Sequence, residues 1–133
     1  MADIYEINTP SFVVDLDKLK ENLELLRSVA DETKSKILLA QKAYSCFDTY
    51  PLIAEYLDGT TASGIYEARL GFEEFKKEVH IFSPAYKAED MEKIVKIAKH
   101  IVFNSFSQMA LYAKLAKENG CEIALRINPE CST

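Results

Sequence analysis

The chain has 133 residues, of which 48% are hydrophobic and 28% are charged. This length and composition predict one globular domain with its own core, and they exclude a largely disordered protein. The net charge of −5 at pH 7 argues against a nucleic-acid partner, because phosphate binding normally requires an excess of basic side chains.

The first residues and the cysteines bear on the cellular compartment. The opening sequence MADIYEINTP has neither the basic nor the apolar region of a signal peptide, and no apolar run is long enough to span a membrane. The three cysteines are odd in number and far apart, which does not indicate a disulfide framework. They also lack metal-ligand spacing, among themselves or with the two histidines. We therefore expect a cytoplasmic protein with no membrane partner and no metal site.

Short β-rich runs alternate with helical patterns along the chain. The segment KLKENLELLRSVADE carries Leu19, Leu23 and Leu26 on one helical face, with Asp15 or Asp17 as a possible N-cap. The β-rich runs begin about 19 to 23 residues apart, and a helical pattern lies in each gap. These runs occupy positions 37–40, 60–62, 79–82, 101–103 and 123–127. The predicted helices between them cover 66–75, 91–100 and 107–120.

Alternation of this kind predicts βα units and a parallel sheet. Two architectures have such a sheet: a doubly wound domain of the flavodoxin type, and the first part of a (β/α)8 barrel, which needs about 250 residues. The periodicity does not choose between them. Because the sequence stops just after the fifth run, where a helix is expected, we interpret the chain as an N-terminal fragment.

Polar side chains follow the predicted strands. Lys42 comes after the first run, Ser63 after the second, and Arg126 near the end of the fifth. In both architectures the carboxyl ends of the strands carry the functional residues. Lys42 is a candidate nucleophile, since partial burial favours a neutral amine. Arg126 needs an anionic partner if it is buried, and an ion pair with Glu67 is the structural alternative to a ligand contact.

Five ordered segments carry a resemblance to a known family. They are LLAQKAYS, TASGIYEARLG, VHIFSPAY, HIVFNSFSQ and LRINPE. The first resembles the first-strand lysine motif of the alanine-racemase-like, fold-type III pyridoxal-phosphate enzymes, and the second resembles their Ala-Ser motif. Together the five look most similar to the carboxynorspermidine decarboxylases.

The resemblance implies a fold for the whole chain. Residues 1–133 would form the N-terminal part of a pyridoxal-phosphate-binding (β/α)8 TIM barrel of the alanine-racemase-like type, with about five of its eight strands. Residues 11–15 would be a strand of a C-terminal β-domain. Members of the family work as homodimers, so we expect a homodimer, or a self-associating fragment with open sheet edges.

The resemblance also implies a reaction. Lys42 would form the Schiff base with pyridoxal 5′-phosphate, while Ser63 and Arg126 would contact the cofactor and Glu67 would support Ser63. The parent enzyme would decarboxylate carboxynorspermidine or carboxyspermidine in polyamine biosynthesis, and the fragment alone would be inactive. The alternatives are a diaminopimelate- or ornithine-type decarboxylase, a non-catalytic pyridoxal-phosphate-binding barrel, and, in a different class, a flavodoxin-like binding domain.

Overall fold

Five parallel strands form one sheet in the computed structural model, which describes residues 4–131. The strands are β1 (Leu38–Ala40), β2 (Gly59–Ala62), β3 (Glu78–Phe82), β4 (His100–Phe103) and β5 (Glu122–Leu125). Each strand pairs with the next one in the sequence, so the order across the sheet is β1-β2-β3-β4-β5. In a doubly wound domain the order in which strands are added to the parallel sheet reverses at one point. In a barrel each strand is added beside the preceding one. The order therefore excludes the flavodoxin-type alternative and confirms the barrel prediction.

Helices occupy the gaps between the strands. They are α1 (Leu16–Thr33), α2 (Tyr50–Tyr56), α3 (Ile65–Leu70), α4 (Ala88–Ile94) and α5 (Phe106–Glu118). A wider helical turn, Gly71–Phe75, continues α3. Asp15 caps α1, because its Oδ1 accepts hydrogen bonds from the backbone N–H groups of Asp17 and Lys18. Ser105 caps α5 in the same way through the N–H of Gln108.

Several predicted bounds differ from the structure. The fifth strand ends at Leu125 rather than at residue 127, and α4 ends at Ile94 rather than at residue 100. His100 lies in β4 and not at a helix end, because the backbone pairs with β3 from Lys99 onward, where Lys99 N–H donates to the Val79 carbonyl. Residues 11–15 form no strand with any other described residue, so their assignment to a β-domain stays a prediction.

The helices cover one face of the sheet. Side chains at alternate strand positions point toward them and are buried, including Val79, Ile81, Ile101 and Phe103. They join Met91, Ile94 and Ala116 from α4 and α5 in the larger of two core clusters. The smaller cluster packs Leu23 of α1 against residues of α2 and Phe75.

Among residues 4–131, no helix covers the opposite face of the sheet. Thr61, His80, Val102 and Ala124 lie there, and all of them are half-buried or exposed. In a complete barrel this face points toward the interior. No helix among residues 4–131 is both long and apolar enough to cross a membrane.

Candidate active site

A cavity of about 300 Å³ opens on the face of the sheet that the helices leave uncovered. Its walls include Leu38 from β1, Thr61 from β2 and Phe82 from β3. Lys42 and Ser63, which follow the carboxyl ends of β1 and β2, also line it. The structure thus brings two of the three predicted site residues to one cavity, at the edge of the sheet where parallel α/β folds bind ligands.

Lys42 lies in a tight turn directly after β1. The backbone N–H groups of Ala43 and Tyr44 both donate to the Ala40 carbonyl, at 3.0 and 3.1 Å, and this turn holds the lysine at the cavity. The side chain is exposed and makes no ion pair within residues 4–131. Our expectation of a partly buried amine is therefore wrong for this chain, because no described residue covers the open face above the lysine.

Gln41, the residue immediately before Lys42, is held by buried hydrogen bonds. Its side chain is only 1% exposed, and its Nε2 donates to the carbonyls of Thr61 and Glu67, at 3.2 and 2.9 Å. Its Oε1 accepts a hydrogen bond from the Tyr50 hydroxyl at 3.2 Å. All three partners belong to other elements, so one buried amide ties the lysine turn to α2, β2 and α3. This anchoring role of Gln41 was not predicted, although a polar residue directly after an apolar run is a visible signal in the sequence.

Ser63 and Glu67 interact, as the resemblance suggested. The Glu67 carboxylate accepts a hydrogen bond from the Ser63 backbone N–H. Because Glu67 lies in the first turn of α3, its negative charge also interacts favourably with the helix N-terminus. The contact fixes the backbone of Ser63 and leaves its hydroxyl exposed beside the cavity.

Arg126 lies near the cavity but does not line it. The side chain is exposed; its Nη1 is 3.4 Å from Asn104 Oδ1, and its Cζ lies 5.3 Å from the centre of the Phe82 ring. Arg126 is therefore not buried, and the alternative ion pair with Glu67 does not occur. The guanidinium packs on an aromatic face instead, and Phe82 connects it to the cavity wall.

The other polar residues at the strand ends have structural partners. Ser83 Oγ donates to the Ala85 carbonyl, and Ser105 caps α5. The Tyr86 hydroxyl is buried and donates to the Val102 carbonyl at 2.9 Å while accepting from the Ser83 N–H at 3.0 Å. Burial raises the pKa of Tyr86 to about 12, so this hydroxyl remains neutral and holds the β3–α4 loop.

The cavity suits one end of pyridoxal phosphate. An aldehyde requires an amine, and Lys42 is the only amine among the lining residues, with the hydroxyls of Thr61 and Ser63 and the ring of His80 around it. The apolar side chains of Leu38, Phe82 and Val102 offer surface for a flat ring. The described residues therefore fit the aldehyde end and the ring of this cofactor.

Comparisons with known proteins agree with the geometry. The chain is 38% identical over 127 residues to a carboxynorspermidine/carboxyspermidine decarboxylase of Campylobacter jejuni, covering 96% of this chain and 33% of that protein. It is 37% identical over 124 residues to a carboxyaminopropylagmatine decarboxylase of Synechocystis, covering 93% and 32%. The chain spans about a third of the length of these relatives. No family model matches the chain.

Solved structures give the same result. Carboxynorspermidine decarboxylase from Campylobacter jejuni, crystallised with norspermidine, superimposes with a TM-score of 0.91 at 37% identity, over 95% of this chain and 34% of that one. D-threonine aldolase from Filomicrobium marinum superimposes with a TM-score of 0.80 at 16% identity, over 97% and 38%, and supports the fold alone. The chain has the fold of five consecutive strands of an alanine-racemase-like barrel and is homologous, over about a third of their length, to the carboxynorspermidine/carboxyspermidine decarboxylases.

Proposed function

We propose that this chain supplies the lysine-bearing part of a pyridoxal-phosphate-dependent decarboxylase that acts on carboxynorspermidine or carboxyspermidine. The observation that carries the proposal is the position of Lys42. It is the one amine at a cavity on the carboxyl edge of the sheet, in a chain that matches such decarboxylases over 96% of its length. Because the match covers about a third of those relatives, we propose the decarboxylase activity for the complete protein of which this chain would be a part.

Lys42 would bind the cofactor and handle protons. The turn after β1 presents its Nζ to the cavity, and the buried Gln41 amide restrains that turn. When bound, pyridoxal phosphate supplies an electron sink for the pair that a departing carboxylate leaves behind. Lys42 Nζ would accept or deliver a proton there, and the His80 ring is the other proton-carrying group of the lining.

Ser63 and Arg126 would have supporting roles. Ser63 offers a hydroxyl at the cavity wall, and Glu67 holds its backbone in place. Arg126 lies outside the cavity over Phe82, from where its guanidinium would orient the aromatic wall or meet an anionic group of the cofactor. We assign no metal to this reaction.

Homodimer formation is part of the proposal. In the described sheet β1 pairs only with β2 and β5 only with β4, so each keeps one open edge, and the cavity face has no helix over it. Open edges and an uncovered sheet face favour association. We expect light scattering to give a mass above that of one chain; a single-chain mass with cooperative unfolding would contradict this part.

A chimera tests the function. The matching third of the Campylobacter jejuni decarboxylase would be replaced by this chain, and norspermidine release from carboxynorspermidine would be followed by mass spectrometry. We expect activity that Lys42→Ala abolishes and that Lys87→Ala, at an exposed lysine before α4, leaves intact. A folded, cofactor-loaded chimera without activity would overturn the proposal, and so would a Lys42→Ala chimera that remains active.

The Synechocystis relative supports a second substrate of the same class. Its name specifies carboxyaminopropylagmatine, and its identity to this chain is within one percentage point of that of the Campylobacter jejuni protein. The corresponding chimera of the Synechocystis enzyme, assayed with carboxyaminopropylagmatine, would measure whether this chain supports that reaction equally well.

A further inference from the structure

The two histidines of the chain lie side by side, although twenty residues separate them in the sequence. His80 in β3 and His100 in β4 are direct partners in the parallel register. Their ring centroids are 4.0 Å apart and their planes are inclined by 32°. Both side chains are on the uncovered face of the sheet and are half-buried. The chain has two histidines in total, so both of its imidazole rings lie in contact with each other.

A carboxylate completes a set of three donor groups. Glu78 precedes His80 by two residues, which puts both on the same face of β3, and Glu78 Oε2 is 3.1 Å from His80 Nε2. One donor atom from each of Glu78, His80 and His100 lies within 4.8 Å of the others. Two ligands of a tetrahedral zinc ion are ~3.3 Å apart, given bonds of ~2.0 Å. The Glu78–His80 pair is already close to that separation, and the His100 donor atom lies within 4.8 Å of both.

The surrounding charges support His100 and leave one side of Glu78 free. Glu122 Oε2 lies 3.6 Å from His100 Nδ1, close to the position from which carboxylates orient metal-bound histidines. Lys99 holds the other oxygen of Glu122 at 3.1 Å. Lys36 pairs with Glu78 Oε1, not with the Oε2 that faces His80. The two lysines thus offset part of the carboxylate charge, while Glu78 Oε2 stays beside His80.

We propose that Glu78, His80 and His100 form a binding site for a divalent transition-metal ion such as Zn²⁺, with Glu122 as the residue that positions His100. Two imidazoles and one carboxylate are a donor set that suits zinc, cobalt and related ions. The ion would connect β3 to β4 across the uncovered face. His80 also lines the cavity that contains Lys42, so the ion would lie at the wall of that cavity.

Cobalt titration of the purified chain tests the site. Cys46 and Cys131 are exposed thiols that would compete for metal, so the titration would use the Cys46→Ser/Cys131→Ser variant. We expect one Co²⁺ per chain by calorimetry, a visible absorption band, and displacement of that band by Zn²⁺. His80→Gln, His100→Gln and Glu78→Gln should each weaken binding by ~100-fold or more, and Glu122→Gln by ~10-fold. Glu74→Gln, at an exposed carboxylate, is the control and should bind normally.

Nuclear magnetic resonance supplies a readout that needs no variant at the site. Imidazole nitrogen signals of both histidines should shift together when one equivalent of Zn²⁺ is added. Absence of binding in the Cys46→Ser/Cys131→Ser chain, unchanged imidazole signals, or full affinity in the folded histidine variants would each overturn the proposal.

Discussion

The two faces of the same sheet are built differently. On the helix-covered face, Val79, Ile81, Ile101 and Phe103 are at most 1% exposed and pack into one apolar cluster. On the uncovered face, alternate residues of the same strands are polar or half-exposed, and they line the cavity and form the histidine pair. Because successive side chains of a strand point to opposite faces, neighbouring residues of one strand serve the core and the cavity in turn. Substitutions in matched pairs, with one member on each face, test this difference.

The largest expected effect on stability comes from a pair of phenylalanines. Phe103 is fully buried beneath Tyr86, whereas Phe82 is half-buried on the cavity face. Phe103→Ala should lower the free energy of unfolding by about 3–5 kcal/mol, since it leaves a cavity in the core. Phe82→Ala should lower it by about 1 kcal/mol. Urea denaturation measures both, and equal losses would show that the two faces are packed alike.

A pair of glutamines compares the lysine turn with a helix surface. Gln41→Ala removes three hydrogen bonds and leaves the buried Tyr50 hydroxyl without the Gln41 Oε1 acceptor, so it should cost about 2–3 kcal/mol. Gln108 is half-buried in α5 with no partner for its Oε1. Gln108→Ala should therefore stay within about 0.5 kcal/mol of the parent chain. A tolerated Gln41→Ala would mean that this network does not hold the turn.

Part of this organisation was predictable from the sequence. The β-rich runs located all five strands to within two residues, because buried parallel strands are short and apolar. Once these strands were located, Lys42 and Ser63 were predicted to follow the ends of the first two. Their catalytic and binding roles stay predictions. The sequential strand order was not predictable from periodicity, since the pairing of strands is non-local.

The histidine pair and the environment of Arg126 could not be predicted. His80 and His100 have no ligand spacing in the sequence, and only the register between β3 and β4 joins them. The alternative ion pair between Arg126 and Glu67 does not form, because Glu67 contacts the Ser63 N–H while Arg126 packs on Phe82. Both outcomes depend on side-chain directions that a one-dimensional pattern does not contain.

Two glycines give a smaller contrast. A Cβ at Gly71 would lie 2.2 Å from Thr60 Oγ1, inside the buried side of β2, whereas a Cβ at Gly64 would meet no atom within 4 Å. Gly71→Ala should destabilise the chain by about 1–3 kcal/mol through overpacking. Gly64→Ala should have almost no effect on the thermal midpoint, and a large effect there would contradict the open space beside α3.

The last contrast is a pH dependence. Tyr86 has a pKa of about 12 in the folded chain, because burial disfavours the phenolate, against ~10 when unfolded. Its contribution to stability is therefore complete below pH 10 and is lost as the pH rises toward 12. Tyr86→Phe should flatten the fall in stability over this range, measured by urea denaturation, relative to Tyr66→Phe at an exposed tyrosine. Equal slopes in the two variants would contradict the assignment.

The most direct test of the Lys42 site is to identify the lysine that carries the cofactor. The chain would be mixed with pyridoxal phosphate, reduced with borohydride, digested and mapped by mass spectrometry. We expect the label on Lys42 and its loss in Lys42→Ala, with Lys87→Ala labelled as the parent chain is. Label scattered over exposed lysines, or absent, would contradict a functional lysine site at this cavity.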